Sequence, residues 1–161
     1  MQKFYEEYLK ILQECHKDIL KAMDGLPPTA LDWTSGPDMN SISVLVYHLT
    51  GAERYWIGDV AAQDPKERDR DAEFRVRDVE MNVLKNRLED NLEYARNALN
   101  QLTIQDLQTT RKSARNGRTF TVAWALLHAL EHATLHLGQI QITRQLWEQS
   151  KGNFPLNSPK S

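Results

Sequence analysis

Four segments of the sequence carry apolar residues at steps of three and four, the spacing that lines one face of an α-helix. No repeat at a solenoid period and no strand-rich region accompanies them. Four helices of this length, joined by moderate connections, favour an all-α four-helix bundle. The predicted helices span approximately residues 4–23, 41–62, 78–102 and 121–147.

Capping and turn residues mark the boundaries of these segments. Gly25, followed by a pair of prolines, ends the first helix, because neither residue type continues a stable helix. Ser41 is a good N-cap for the second helix. Asn116-Gly117 indicates a loop or a small hairpin before the fourth helix. We therefore expect a single domain over residues 1–150 and a polar C-terminal tail over residues 151–161.

Length, charge and cysteine content narrow the class of protein. A chain of 161 residues can bury most of its apolar surface without disulfides. The net charge of −2 gives no reason to expect nucleic acid as a partner. The charged residues of 66–77 alternate in sign, which is typical of a solvated face. Cys15 is the only cysteine, so no intramolecular disulfide can form, and its place on an apolar face predicts burial.

The sequence gives no sign of a membrane protein or a secreted one. No apolar run approaches the roughly 20 residues that span a bilayer. Residues 1–7 alternate in charge and lack the apolar region of a signal peptide. We therefore expect a cytoplasmic protein with no membrane partner.

Histidines are the residues most suited to chemistry. His132 and His136 lie four apart on the fourth helix, so their side chains occupy one face and can converge on one ion. His48 falls within the apolar stripe of the second helix and is the one further candidate on a core-facing stripe. Together the three would form a site for one divalent metal ion. His16, which faces away from its stripe, is expected to be exposed.

Other interpretations of these residues remain open. A histidine on an apolar face is often a core residue hydrogen-bonded to a carbonyl or carboxylate, and an i, i+4 pair arises by chance. The bundle could therefore hold no metal. Should it hold one, the other ring nitrogens need partners. The candidates for this outer shell are His128, Gln139, Glu53 and Glu131. Glu53 and Glu131 are also candidates for a proton acceptor near a bound water. The alternatives are that His128 is a core residue and that the other three are surface polar residues.

The stretch from His128 to Gln139, read with residues 40–49, resembles the motifs of the DinB/YfiT-like family of metalloenzymes. In that family a histidine of the second helix joins an H-x3-H pair of the last one, which implies that His48, His132 and His136 are the ligands. Leu137 stands where many relatives have an arginine. The resemblance covers nearly the whole chain in helix order.

This resemblance implies an up-down-down-up bundle, a homodimer, and one Zn, Ni or other divalent ion. It also implies a thiol-dependent S-transferase that joins a small electrophile to a low-molecular-weight thiol such as bacillithiol or mycothiol. Metal-dependent hydrolysis is the second candidate chemistry. A metal-binding stress-response bundle without catalytic activity is the alternative outside the enzymes. Trp56, Trp147 and Tyr55 are candidate anchors for a dimer interface, or equally core residues.

Overall fold

The computed structural model describes residues 1–152 of the chain and consists of helices with one small hairpin. Residues 153–161, most of the predicted tail, lie outside the described part. The elements, in chain order, are α1 (Lys3–Met23), α2 (Pro28–Leu31), α3 (Ile42–Glu53) continued by a π-helix (Arg54–Ala62), α4 (Arg70–Glu73), α5 (Met81–Asn100), a 3₁₀ helix (Ile104–Gln108), β1 (Thr110–Lys112), β2 (Thr119–Thr121) and α6 (Val122–Ser150).

Local sequence explains where the long helices begin and end. The Ser41 hydroxyl accepts a hydrogen bond from the Val44 amide and so caps α3, as the sequence predicts. Thr121 caps α6 in the same way through the Trp124 amide. Gly25 follows α1 with φ of +72°, a left-handed conformation that stops a helix.

All four long helices are confirmed, with two differences from the prediction. The third begins at Met81 rather than near residue 78, because Asp78 has φ of +56° and cannot belong to a right-handed helix. The last nine residues of the second helix are wound as a π-helix, which apolar spacing does not reveal. The turn at Asn116-Gly117 belongs to a hairpin in which Arg111 faces Phe120.

Contacts between the helices define their directions. Tyr8 near the start of α1 bonds to the Leu126 carbonyl near the start of α6, and Arg144 bonds to carbonyls at the end of α1. The helices α1 and α6 therefore run parallel. His48 lies beside His136, whereas Trp56 lies beside Trp124, so α3 runs antiparallel to α6.

The direction of α5 follows from its contacts with α3. Arg87 contacts Thr50, and further along both helices Tyr94 contacts Arg54, so α3 and α5 are parallel. Each of α1 and α3 packs against both α5 and α6. The resulting order is up, down, down, up, as the family resemblance implies. Apolar side chains from all four long helices fill the core, and Cys15 is buried among them.

His16 is buried, which corrects the expectation that it is exposed. Its Nε2 lies 3.0 Å from both oxygens of the Glu53 carboxylate in the middle of the bundle, and Asn91 also donates to that carboxylate. Burial alone would lower the pKa of His16, but the charge and hydrogen bonds of Glu53 outweigh it and raise the pKa. The interaction between His16 and Glu53 therefore offsets the energetic cost of burying them. The apolar stripe of the first helix alone could not predict that His16 is buried.

Within residues 1–152, the structure contains no helix that combines the length and the apolar character needed to cross a lipid bilayer.

The buried pair generates a prediction about stability. Glu53→Gln removes the charge that compensates His16, and we expect it to lower the free energy of unfolding by about 3–5 kcal/mol at pH 6. Because the folded-state pKa of His16 is raised, the pair stabilises fully below the unfolded value of about 6.5 and loses this effect as pH rises through the folded value. The difference between the two proteins should therefore shrink in alkaline buffer.

Denaturant unfolding at several pH values measures this difference. The matched control is Glu89→Gln on the exposed face of α5, which should stay within about 0.5 kcal/mol of the unsubstituted protein. Equal effects of the two substitutions would contradict the prediction.

Candidate metal centre

Antiparallel packing of α3 against α6 brings three histidine rings together. His48 projects from α3, and His132 and His136 project from successive turns of α6. The ring of His48 has its centroid 5.0 Å from that of His132 and 5.1 Å from that of His136. One nitrogen from each ring lies within 4.8 Å of the others, so the three residues proposed from the sequence form one cluster.

The two nitrogens on α6 already have the separation that a metal requires. Nε2 of His132 lies 3.2 Å from Nε2 of His136. Two nitrogens bound at 2.0–2.1 Å to a tetrahedral zinc ion lie about 3.3 Å apart. A cation between these rings would thus need little movement of α6, and the third ligand would approach from α3.

Hydrogen bonds on the far sides of the rings fix which nitrogen faces the cluster. Nδ1 of His48 lies 3.0 Å from an oxygen of Glu73, and Nδ1 of His136 lies 2.6 Å from Oε1 of Gln139. Both oxygens are acceptors, so both Nδ1 atoms carry the proton and donate. The Nε2 atoms therefore present lone pairs to the centre of the cluster, as ligation requires.

The protonation state of His132 also fits a cation. Its Nε2 faces the His136 imidazole, and among residues 1–152 its buried Nδ1 has no hydrogen-bond partner. Burial, together with neighbouring His136 and His48, lowers the pKa of His132 to about 3. Burial also lowers the pKa of His136. Both rings are therefore neutral at physiological pH, the form that binds metals.

The structure adds Glu73 and Arg68, which the sequence interpretation assigned to a solvated face. Glu73 is buried and accepts two hydrogen bonds from Arg68, at 2.6 and 2.8 Å, besides the one from His48. Burial alone would raise the pKa of Glu73, but these bonds outweigh it and lower the pKa, so the carboxylate stays ionised. The sequence contained one sign that this segment turns inward, the apolar residue Phe74 within the charged run. In the structure, Phe74 packs against the His48 ring.

Gly51 makes the position of Glu73 possible. A Cβ atom at residue 51 would overlap the Glu73 carboxylate and would lie 3.1 Å from Nε of Arg68. Only a residue without a side chain leaves room for the Glu73 carboxylate to lie against α3 at residue 51 and reach His48. The glycine is therefore part of the site, although it contributes no donor.

The other residues suggested for the outer shell lie in different places. Gln139 contacts His136, as described. Glu53 instead bonds to His16, because five residues of helix turn it away from His48. Glu131 bonds at 3.1 Å to Nδ1 of His128 rather than to a member of the cluster. The His128 ring stacks on Trp124, and its centroid is 6.1 Å from that of His132.

Cys15 does not belong to this site. Burial raises the pKa of its thiol to about 12, which makes it a poor nucleophile. The chemistry available is therefore that of three clustered imidazoles, two of them anchored through Nδ1, with His128 and Glu131 at their edge. Such a set is suited to a divalent ion with at least one open position.

Comparisons with solved structures agree with this fold. A conserved protein from Enterococcus faecalis aligns with a TM-score of 0.74 at 16% identity, over 91% of this chain and 98% of its own. A DinB-like protein from Bacillus cereus ATCC 10987 gives 0.70 at 17% identity, over 91% and 92%. YfiT from Bacillus subtilis, described as a probable metal-dependent hydrolase with an unusual four-helix bundle topology, gives 0.71 at 15% identity, over 94% and 90%.

The comparison with curated proteins found no match. The family model of the DinB superfamily, in contrast, matches residues 11–140, which include all three clustered histidines. The match covers most of the chain. The chain therefore belongs to the DinB superfamily.

Proposed function

We propose that this protein is a divalent-metal-dependent enzyme in which His48, His132 and His136 hold one ion, most simply Zn or Ni. The observation that carries the proposal is the anchoring of two rings through Nδ1, which turns their Nε2 lone pairs toward the third imidazole. Without a cation, the Nε2 lone pairs of His48 and His136 both face the cluster, where His132 can supply only one N–H. At least one lone pair would then be unsatisfied, at a cost of about 1–3 kcal/mol.

The reaction that we favour is transfer of a low-molecular-weight thiol, such as bacillithiol or mycothiol, to a small electrophile. A divalent ion with three neutral ligands keeps its full charge and acidifies a thiol or a water molecule placed beside it. Glu73 and Gln139 orient the ligand rings, and Arg68 keeps Glu73 ionised. We assign to His128, which contacts Glu131 and stacks on Trp124, the role of accepting the proton that the nucleophile loses.

Hydrolysis is the second candidate reaction, and one observation favours it. The similar protein YfiT is described as a probable metal-dependent hydrolase. The same ligand set suits both reactions, which differ in whether a thiol or water supplies the nucleophile.

Metal content and turnover test the proposal together. Untagged, freshly purified protein should contain about one divalent ion per chain by elemental analysis, and alanine at His48, His132 or His136 should remove it. His128→Ala is the matched control, because His128 is a neighbouring histidine of α6 that contacts no Nδ1 partner of the cluster. It should keep the metal.

The same proteins are then assayed with bacillithiol, mycothiol and an aryl chloride, from which chloride leaves as the carbon–sulfur bond forms. Hydrolysable esters test the second reaction. We expect turnover to fall about 100-fold or more in the ligand variants, since even partners beyond the ligands contribute 10–100-fold. If the metal raises the melting temperature but no substrate is turned over, the proposal of an enzyme is contradicted. That result would favour the non-catalytic stress-response bundle.

A second prediction concerns Gly51. Gly51→Ala should displace Glu73 from His48 and weaken metal binding about 10–100-fold, as loss of an outer-shell partner does elsewhere. Gly138→Ala is the control: this glycine lies two residues after His136 on α6, and a Cβ there meets nothing within 4 Å. Competition with a chromogenic chelator measures both affinities. A normal affinity for Gly51→Ala would show that Glu73 does not tune the site.

We also propose that the protein is a homodimer and cytoplasmic. The residues Tyr55, Trp56 and Trp147 do not form an exposed patch: Tyr55 is buried, and both tryptophans pack against the core clusters. Four of the exposed apolar side chains lie instead in one stripe along α6, a candidate surface for a second copy. This stripe consists of Trp124, Leu127, Leu135 and Ile142.

Charge placed in the stripe should separate the two copies. Leu127 and Leu135 are 61% and 59% exposed, so Leu127→Glu with Leu135→Glu should leave the fold intact and shift the mass measured by light scattering from dimer to monomer. Val83→Glu, at an exposed apolar position of α5, is the control and should stay dimeric. A monomeric unsubstituted protein would rule out the dimer.

A further inference from the structure

A cavity of about 670 Å³ lies between α3, α5 and the connection that joins them, and Glu73, the partner of His48, forms part of its wall. Its inner wall is formed by Tyr47, Thr50 and Gly51 of α3 and by Arg87 and Asn91 of α5. The connection between these two helices supplies Arg68 on one side. The metal proposed above does not account for this space, since none of the three clustered histidines lines it.

Arg87 is the feature of this cavity that needs explanation. It is half-buried, its Nε donates to the Thr50 hydroxyl at 2.7 Å, and Nη2 donates to the Tyr47 carbonyl at 3.4 Å. The guanidinium also lies 4.2 Å above the centre of the Tyr47 ring. All these partners are neutral, and within residues 1–152 no carboxylate lies close enough to form an ion pair with it.

The other two arginines of the cavity differ in this respect. Arg68 is paired with Glu73, and Arg54 with Asp64. Arg87 has no such ion pair among the described residues, and the Glu73 carboxylate acts on it only from a longer distance. Burial lowers the pKa of Arg87, which reflects the cost of keeping a guanidinium away from water.

The neutral groups near Arg87 hold its guanidinium in a fixed orientation. The Thr50 hydroxyl and the Tyr47 ring fix the plane of the guanidinium, so its remaining N–H groups have a set direction before any ligand arrives. Asn86 and Asn91 add side-chain amides to the wall. Three of the carboxylates that line the cavity, those of Glu67, Asp69 and Asp90, are on exposed residues, where water screens them. The other two, Asp59 and Glu73, are buried, and each is paired with an arginine.

We infer that this cavity is a binding site for a small anion, in which a carboxylate or phosphate group bonds to the guanidinium of Arg87. A planar fork of N–H donors held in place is the arrangement that recognises such groups. The volume admits a small organic molecule around that group. Arg87 contacts none of the three clustered histidines, whereas Gly51, Arg68 and Glu73 belong both to the cavity wall and to the surroundings of the metal centre.

Nuclear magnetic resonance on the full-length protein, as purified, tests the site. Phosphate and acetate are titrated separately at an ionic strength held constant with sodium chloride. We expect saturable shifts of the Arg87 Nε–H and of the Thr50 and Gly51 amides, with a dissociation constant on the order of 1 mM. Tighter binding of acetate would indicate a carboxylate ligand, and tighter binding of phosphate a phosphorylated one.

Two substitutions on α5 provide the comparison. Arg87→Gln should raise the dissociation constant at least about tenfold, because it removes the charge and the fork. Arg96→Gln removes an exposed arginine that lies outside the cavity, and it should bind as the unsubstituted protein does. Ala72→Leu adds bulk to the cavity wall without touching the contacts of Arg87, and it should also weaken binding if Arg87→Gln does not fold.

Three results would overturn the inference. Shifts that sodium chloride alone reproduces would show a general salt effect. Binding that persists unchanged in both Arg87→Gln and Ala72→Leu would place the anion elsewhere. A response confined to the rings of His48, His132 and His136 would assign the anion to the metal centre and leave the cavity without a ligand.

Discussion

The parallel direction of α3 and α5 is the constraint on which the site depends. Two parallel helices cannot be joined by a tight turn, so the chain must travel back along the bundle between Ala62 and Met81. This return carries α4 across the face of α3, where Gly51 leaves room for it. Glu73 thereby reaches His48, and Arg68 reaches both Glu73 and the cavity. The outer partners of the cluster come from the connection that the topology requires.

The sequence predicted the elements well and the polar interior poorly. Apolar spacing identifies α1, α3, α5 and α6 because each buries one stripe, and His48, His132 and His136 could be selected because they fall on or near those stripes. The burial of His16 and Glu53 could not be found in this way. Each of these polar residues is buried with the other as its partner. Whether the two meet depends on which helices pack together, which apolar spacing does not reveal. Glu73 was missed for a related reason, since a charged run gives no sign that one of its members turns inward.

The surroundings of His16 and His132 show how the groups that face a histidine ring determine its charge. His16 faces a carboxylate and is favoured as a cation, whereas His132 faces other imidazoles and is favoured as a neutral ring. The first arrangement compensates a buried charge within the protein. The second leaves nitrogen lone pairs unused, and this difference distinguishes a structural pair from a set of ligands.

The π-helical winding of Arg54–Ala62 has a consequence for how relatives of this protein can differ in length. A π segment holds more residues per turn than an α-helix, so it can absorb an inserted residue without breaking the helix. This segment follows His48, and the chain before it is ordinary α-helix. Gain or loss of a residue there would change which side chains face the hairpin while leaving the metal-facing histidine in register. Evolution could therefore remodel one end of the bundle without disturbing the other.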